Sequence, residues 1–150
     1  MERLITRNFG VADMKQFKVA RQHGAYVGLD KARRLAPAGV MREIKAARLR
    51  ERVGVGPLLA DKLARASEGA DAVIVLQADE QFPGVFRDRA ILMRDPHLVL
   101  EGALIAAHAI KAQKIYAFIR SEYDEAFAGF SRAVEGACEA RLIGDAGAVK

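Results

Sequence analysis

The run Ala72-Val73-Ile74-Val75-Leu76 and the loop after it, Gln77-Ala78-Asp79-Glu80-Gln81-Phe82-Pro83-Gly84-Val85-Phe86-Arg87-Asp88-Arg89, decide the fold. A short apolar run rich in Val and Ile, bounded by polar residues, reads as a strand rather than a helix. Its unbroken apolar character predicts a strand over 72–77 buried on both faces. Asp95-Pro96 then marks a helix start, with the aspartate as cap and the proline in the first turn. That helix is apolar nearly all round and is expected to be buried. A second strand-like run follows, Lys114 to Arg120, centred on Ile115 to Ile119. Strand, helix, strand is a βαβ unit, whose strands run parallel through a right-handed crossover. Open α/β sheets bind ligands in the crevice outside the C-terminal strand ends. The charged loop 77–89 is therefore where a small-molecule site is expected.

Working outward, residues 1–9 look irregular, and 11–35 carry helical patterning interrupted at Gly24 and Gly28. Pro37 opens a helix over 38–50 with Val40, Ile44 and Leu49 on its apolar side. Its other side is basic (Arg42, Lys45, Arg48, Arg50, then Arg52), a run whose ordinary reading is a solvated face. Val53-Gly54-Val55-Gly56-Pro57 breaks the helix. A further helix over 58–67 turns Leu58, Leu59 and Leu63 inward, and Gly69 ends it. The last helix, 124–142, aligns Phe127, Phe130, Val134, Ala137 and Cys138 on one stripe. The tail, 144–150, is expected to fray.

The fold class is α/β: a helical N-terminal part, 1–70, then a Rossmann-like βαβα part, 71–144, in a single domain. Two parallel strands make a poor sheet. Either strands escape this reading, or a protein partner or second copy completes the sheet.

The 150 residues are 51% apolar and 29% charged, which excludes wholesale disorder. The formal charge of +5 suits an anionic partner (a nucleotide, a nucleic acid or an acidic protein face) or simply a basic surface. A single cysteine, Cys138, excludes an internal disulfide and any all-cysteine zinc or iron–sulfur centre. Its helical setting beside Val134 and Leu142 predicts a buried, inert thiol. Glu2, Arg3, Arg7 and Asn8 leave no apolar core for a signal segment, and Leu98 to Ile110 is broken by Glu101 and His108. A cytoplasmic chain is expected, free or peripheral on a membrane complex. His97, in a first helical turn, is expected to cap or pack, and His108 to be a hydrogen-bonded core or interface residue. His23 is unplaced. No nucleophile–base arrangement and no metal-ligand spacing is readable.

With these residues in view, the chain resembles the FMN- and NADH-binding flavoprotein subunit of respiratory complex I. The relatives of that family include diaphorase subunits of NAD-reducing hydrogenases and formate dehydrogenases. The resemblance rests on Leu4-Ile5-Thr6-Arg7-Asn8-Phe9-Gly10, on Gln22-His23-Gly24-Ala25-Tyr26 and above all on the second loop. There the family pattern Asn-Ala-Asp-Glu-x-x-Pro-Gly reads Gln77 to Gly84, and Phe-Lys-Asp-Arg reads Phe86-Arg87-Asp88-Arg89. Asp95 to Leu98, Glu101-Gly102 and Tyr116 through Arg120 also match.

The resemblance implies that FMN or a nucleotide phosphate is held by Arg52, Gly54, Gly56 and Lys62, with Arg50 also at a basic position of the family. Glycine in such a loop lets backbone amides reach phosphate. Glu51 and Val53 stand where the family has glycine, and Pro57 stands where an aromatic would stack on NADH. Glu51 also brings negative charge towards a phosphate. The resemblance further implies that Gln77, Asp79 and Glu80 face the isoalloxazine or ribose, Gln77 replacing an asparagine. Phe82 replaces a glutamate that faces the nicotinamide nucleotide. Taken alone, adjacent Asp79 and Glu80 read as a solvated loop; their place at the C-terminal end of a parallel strand gives a ligand-facing role equal standing.

The family's second flavin loop, ubiquitin-like region and four-cysteine iron–sulfur cluster have no counterpart in these residues. A flavin that takes hydride from NADH needs such a centre nearby to pass electrons on. The expectation is a module that binds flavin or nucleotide and does not turn over alone. One alternative is a cofactor-free structural or assembly subunit. Another is a helix-hairpin-helix nucleic-acid binder built on Arg52 to Leu63, a reading that leaves 72–143 without a role.

Overall fold

The computed structural model describes residues 3–51, 55–69 and 71–144. Among these the order is α1 (Phe17–Gln22), α2 (Val27–Arg33), α3 (Pro37–Ala46), α4 (Leu59–Ala66), β1 (Val73–Ala78), α5 (Arg87–Arg94), α6 (Pro96–Ile110), β2 (Lys114–Ile119) and α7 (Asp124–Glu139). β1 and β2 pair as a small parallel sheet, so the α/β class holds. No helix among the described residues is long and apolar enough to cross a membrane.

The chain divides into two compact units. Unit 1 comprises residues 1–26, 77–101 and 117–150; unit 2 comprises 27–76 and 102–116.

In unit 1, α7 packs on α1 and α5. It buries Ala126, Gly129, Phe130, Ala133 and Ala137, a helical stripe of mostly small residues that lets neighbours come close. Asp95 caps α6 as expected: its Oδ1 accepts from the Leu98 N–H at 3.2 Å. Its Oδ2 accepts from Asn8 Nδ2 at 2.9 Å, tying the N-terminal segment to the cap. His97 packs as expected, fully buried among Phe17 and Tyr26.

In unit 2, Ala32, Val40 and Ala109 form a core with Met41, Ile44 and Ile105. His108 joins it by a hydrogen bond between Nε2 and the Leu35 carbonyl at 3.0 Å. α4 packs on α3 and buries Ala60 and Leu63.

Several expectations need correction. β1 is not buried on both faces: Val73 is 46% exposed and Val75 62%, while Ile74 and Leu76 are half-buried. Tyr116 and Phe118 of β2 are likewise 54% and 56% exposed. Apolar sequence shows what a strand can bury, not whether a second layer is there to cover it. The described residues hold no third strand.

The loop after β1 is shorter than expected, because Arg87–Arg94 form α5, a helix whose charged first turn hid its short apolar segment. α3 stops at Ala46 because the chain turns at Arg48, left-handed at φ 50°, so that Arg50 bridges Leu58. The patterned region 11–35 splits at Gly24 and Tyr26, both left-handed, whereas Gly28 lies inside α2. α7 ends at Glu139, and Cys138 is half-buried, its Sγ donating to the Gly144 carbonyl at 3.3 Å. Residues 145–150 of the expected fraying tail lie outside the described residues.

Candidate functional site

Parallel pairing brings the C-terminal ends of β1 and β2 to one edge, where the loop after β1 meets the segment after β2. Asp79 and Gln81 from the first, with Phe118, Ile119, Arg120, Ser121 and Glu122 from the second, line an open cleft of about 560 Å³. All seven belong to unit 1.

Arg120 organises this edge. Its backbone N–H donates to the Ala78 carbonyl at 3.2 Å, extending the ladder by one bond. Its guanidinium donates to Asp79 Oδ1 at 3.3 Å and to the Glu80 carbonyl at 2.8 Å. Its Nε donates to Glu122 Oε2 at 3.2 Å. The planar fork suits this role, since several acceptors can be held in fixed directions at once.

Glu80 faces inward and is buried. Its Oε1 accepts from the Asp88 N–H at 2.7 Å, satisfying a first-turn donor of α5 that has no intrahelical partner. Its Oε2 accepts from the Tyr123 hydroxyl at 3.2 Å. Burial and then the Glu80 carboxylate raise the Tyr123 phenol above its ordinary range. The Arg89 guanidinium sits 5.3 Å from the Tyr123 ring centroid, within cation–π distance. Glu122, exposed, is held below the usual carboxylate range by its own backbone N–H and the Ser121 hydroxyl.

The cleft thus presents two carboxylates, Asp79 and Glu122, around one guanidinium already engaged by both. Such a surface accepts hydrogen bonds from hydroxyl and amide donors and repels phosphate. Half-exposed Phe118 adds an apolar wall.

Of the residues expected from sequence in unit 1, Asp79 lines the cleft, while Glu80 spends both oxygens inside the fold. Gln77 is exposed on β1 and outside the lining. Arg120 holds Asp79 and Glu80 together. In unit 2, Gly56 is left-handed at φ 64° and Lys62 Nζ pairs with Glu51 Oε1 at 2.6 Å. Arg52 and Gly54 lie outside the described residues. Sequence reasoning gave Gln81 and Tyr123 no role at the site, and took Phe118 and Arg120 only as points of resemblance. The missing signal was the place of Arg120 immediately past the second strand, at the same edge as the acidic loop.

The Nuo51 FMN-binding domain matches residues 44–147. An NADH-quinone oxidoreductase subunit of Rhodobacter capsulatus is 34% identical over 146 residues, covering 95% of this chain and 34% of that protein. Its counterpart in the NADH-quinone oxidoreductase of Escherichia coli K12 is 38% identical over 128 residues, 83% of this chain and 29% of its own length. Among solved structures, an NAD+-reducing [NiFe]-hydrogenase in the H2-reduced state superposes with a TM-score of 0.64 at 34% identity. That match covers 70% of this chain and 19% of the hydrogenase chain. The chain spans about a third of the length of the curated relatives it matches.

Proposed function

The chain belongs to the Nuo51 FMN-binding domain family, and from that premise we propose that it is a flavin- and nicotinamide-nucleotide-binding module of an NADH-oxidising complex. The observation that carries this reading is the strand-end cleft lined by Asp79, Gln81, Phe118 and Arg120, at the edge where α/β folds take ligands. Its donors, acceptors and apolar wall suit the uncharged ring and polyhydroxyl chain of a flavin. Asp79 and Gln81 would hold those groups, Phe118 would shield one side, and Arg120 would keep Asp79 in place. A bound flavin supplies a hydride acceptor. The family pattern proposes Gln77 as a further contact in unit 1, where Glu80 would act by holding the cleft's frame through Asp88 and Tyr123; in unit 2, considered by itself, it proposes Arg52, Gly54, Gly56 and Lys62 as binders of flavin or nucleotide phosphate.

Relatives named as subunits of larger oxidoreductases support a protein partner for this chain, and electron transfer onward would take place there. In that setting the chain would lie in the cytoplasm or peripherally on a membrane complex. Titration of the purified chain with riboflavin and FMN, followed by flavin fluorescence, tests the reading. Quenching that saturates at one flavin per chain is expected, without NADH oxidation by the isolated chain. A colourless protein that quenches neither flavin rejects it.

A second reading is a cofactor-free assembly subunit. The half-exposed apolar face of the sheet, Val73, Val75 and Tyr116, supports it, because such a face is usual at a subunit contact. Failure of both flavins to bind, together with a stable complex with another protein chain, would favour it.

A further inference from the structure

Within unit 1, the turn that leaves the cleft wall displays an aromatic ring that the fold does not pack. Asp79 and Gln81 line the cleft, and Gln81 Nε2 donates to Asp79 Oδ2 at 3.3 Å. Phe82 follows at once, its Cα about 3.8 Å along the chain from that of Gln81, and it is 77% exposed. Phe82-Pro83-Gly84-Val85 forms a type II turn. The Val85 N–H donates to the Phe82 carbonyl at 3.2 Å, proline sets the second position and Gly84 takes φ 81° at the third. A Cβ on Gly84 would meet nothing within 4 Å, so the backbone conformation alone calls for glycine there. The turn thus fixes the Phe82 backbone while the exposed ring keeps its choice of rotamers. Half-exposed Phe118, from the segment after the second strand, lines the same cleft. Phe86, 63% exposed, offers a comparison in the same loop. It stands beyond the turn, five residues past Gln81, where its carbonyl accepts from the Ala90 N–H at 3.0 Å and starts α5.

We propose that Phe82 is a stacking residue for the ligand of this cleft, closing over a planar heteroaromatic ring whose other face rests on Phe118. The inference rests on the flavin-binding reading and names the part of the ligand that the turn recognises. An open cleft with one apolar wall leaves the second face of a flat ring in water. A second aromatic side chain removes that face from water and gains the offset contacts that rings prefer. Phe82 gives up little in moving, because a ring so exposed has few packing contacts to break. Stacking tolerates many heterocycles, since each offers a π-face. Phe82 therefore sets the affinity for a ring, while the polar groups of Asp79 and Gln81 select its edge.

The test uses the full chain as native protein, F82L, F82W and F86L, each titrated with riboflavin and followed by flavin fluorescence. F82L keeps an apolar side chain and loses the ring, and should weaken riboflavin binding about tenfold, the scale of one stacked ring. F86L should stay within about twofold of the native chain. F82W should bind at least as tightly as the native chain. As the sole tryptophan of the protein, it should also add a long-wavelength charge-transfer absorption between indole and flavin, which a merely structural role would not produce. Melting temperatures should agree throughout, because the replaced rings are exposed. Riboflavin affinity unchanged in F82L, or lost equally in F82L and F86L, overturns the assignment while leaving flavin binding intact. If the native chain binds no riboflavin, the flavin reading falls and F82W alone decides the role of this position. Titrated with adenosine and with NAD+, saturable quenching of its indole emission upholds ring stacking, and unchanged emission overturns it.

Discussion

Tyr26 Oη and His97 Nδ1 lie 2.6 Å apart with both residues fully buried. The other ring nitrogen, Nε2, is 3.2 Å from the Lys15 carbonyl, which can only accept. The bonding pattern therefore places the proton on Nε2 and makes Nδ1 the acceptor for the tyrosine hydroxyl. The pair fixes a turn in which Tyr26 is left-handed at φ 66°, an uncommon conformation for a bulky residue.

Burial pushes His97 below its ordinary value of 6.5, outweighing the Lys15 carbonyl and the Asp95 carboxylate, which act the other way. The unfolded chain then binds more protons than the folded one between the folded value and 6.5. Stability is fully present above about 6.5 and is lost as pH falls through the folded value. Urea midpoints taken from about pH 8 down to about pH 5 should drop on the acid side. His97→Gln should flatten that part of the profile. A His97→Gln profile parallel to the native one would assign the acid loss to carboxylates instead.

Glu80 joins α5 to the segment before α7 through the Asp88 N–H and the Tyr123 hydroxyl. Glu80→Ala leaves a helix-terminal N–H and a phenol without their acceptor, and should cost about 2 kcal/mol. Tyr123→Phe, which removes one donor from an acceptor that keeps another, should cost less than about 1 kcal/mol. The double variant should cost no more than Glu80→Ala alone, because the two changes remove one shared bond. Additive losses in urea unfolding would mean that the two residues act separately.

The sequence carries the βαβ order and the Asp95 cap because both depend on local chemistry: a Val/Ile run, an aspartate before a proline. It also carries the tendency of His97 to pack. The exposed face of β1 was illegible, since no residue of 72–77 reports whether another layer lies above it. α5 was hidden because its stabilising acceptor, Glu80, precedes it across the loop. At the site, Asp79 was legible from its place after the first strand. The inward turn of Glu80 was not, because it depends on Arg120 and Tyr123, some forty residues away. The Lys62–Glu51 pair follows from a turn whose closure no local pattern announces.

The apolar face bearing Val73, Val75 and Tyr116 should drive association. Replacing Val75 and Tyr116 by lysine puts charge where a partner surface would have to be dry. Because both side chains are already more than half exposed, the monomer should lose no more than about 0.5 kcal/mol per site. Light scattering over a range of concentrations should show self-association of the native chain, or a heteromer with a co-expressed partner protein, that V75K/Y116K abolishes. A native chain that is monomeric throughout and takes no partner contradicts this.

Asp79 and Arg120 should separate by phenotype. Asp79→Asn keeps the shape of the cleft but weakens an acceptor facing it, so riboflavin affinity should fall about tenfold with little change in melting temperature. Arg120→Lys retains the charge and loses the fork that reaches Asp79, the Glu80 carbonyl and Glu122. It should lower both stability and riboflavin affinity. Equal melting temperatures for the two variants would remove Arg120 as the residue that sets Asp79 in place.

Two glycines in helices should answer alanine substitution with opposite signs. Gly102 lies inside α6, exposed, with nothing within 4 Å of an added Cβ. Gly102→Ala should stabilise by about 0.5–1 kcal/mol through helix propensity alone. Gly136 lies inside α7, where an added Cβ would stand 2.8 Å from the Cβ of Phe17. A β-carbon cannot swing aside as a side-chain tip can, so α1 would have to move. The Phe17 ring centroid is 5.4 Å from that of Tyr26 and 6.0 Å from that of His97, so the displacement reaches the buried pair. Overpacking of this kind costs about 1–3 kcal/mol and outweighs the propensity gain. Gly136→Ala should lower the urea midpoint while Gly102→Ala raises it. A shared sign would show that α1 yields without cost and that the contact between α1 and α7 does not set the position of Phe17.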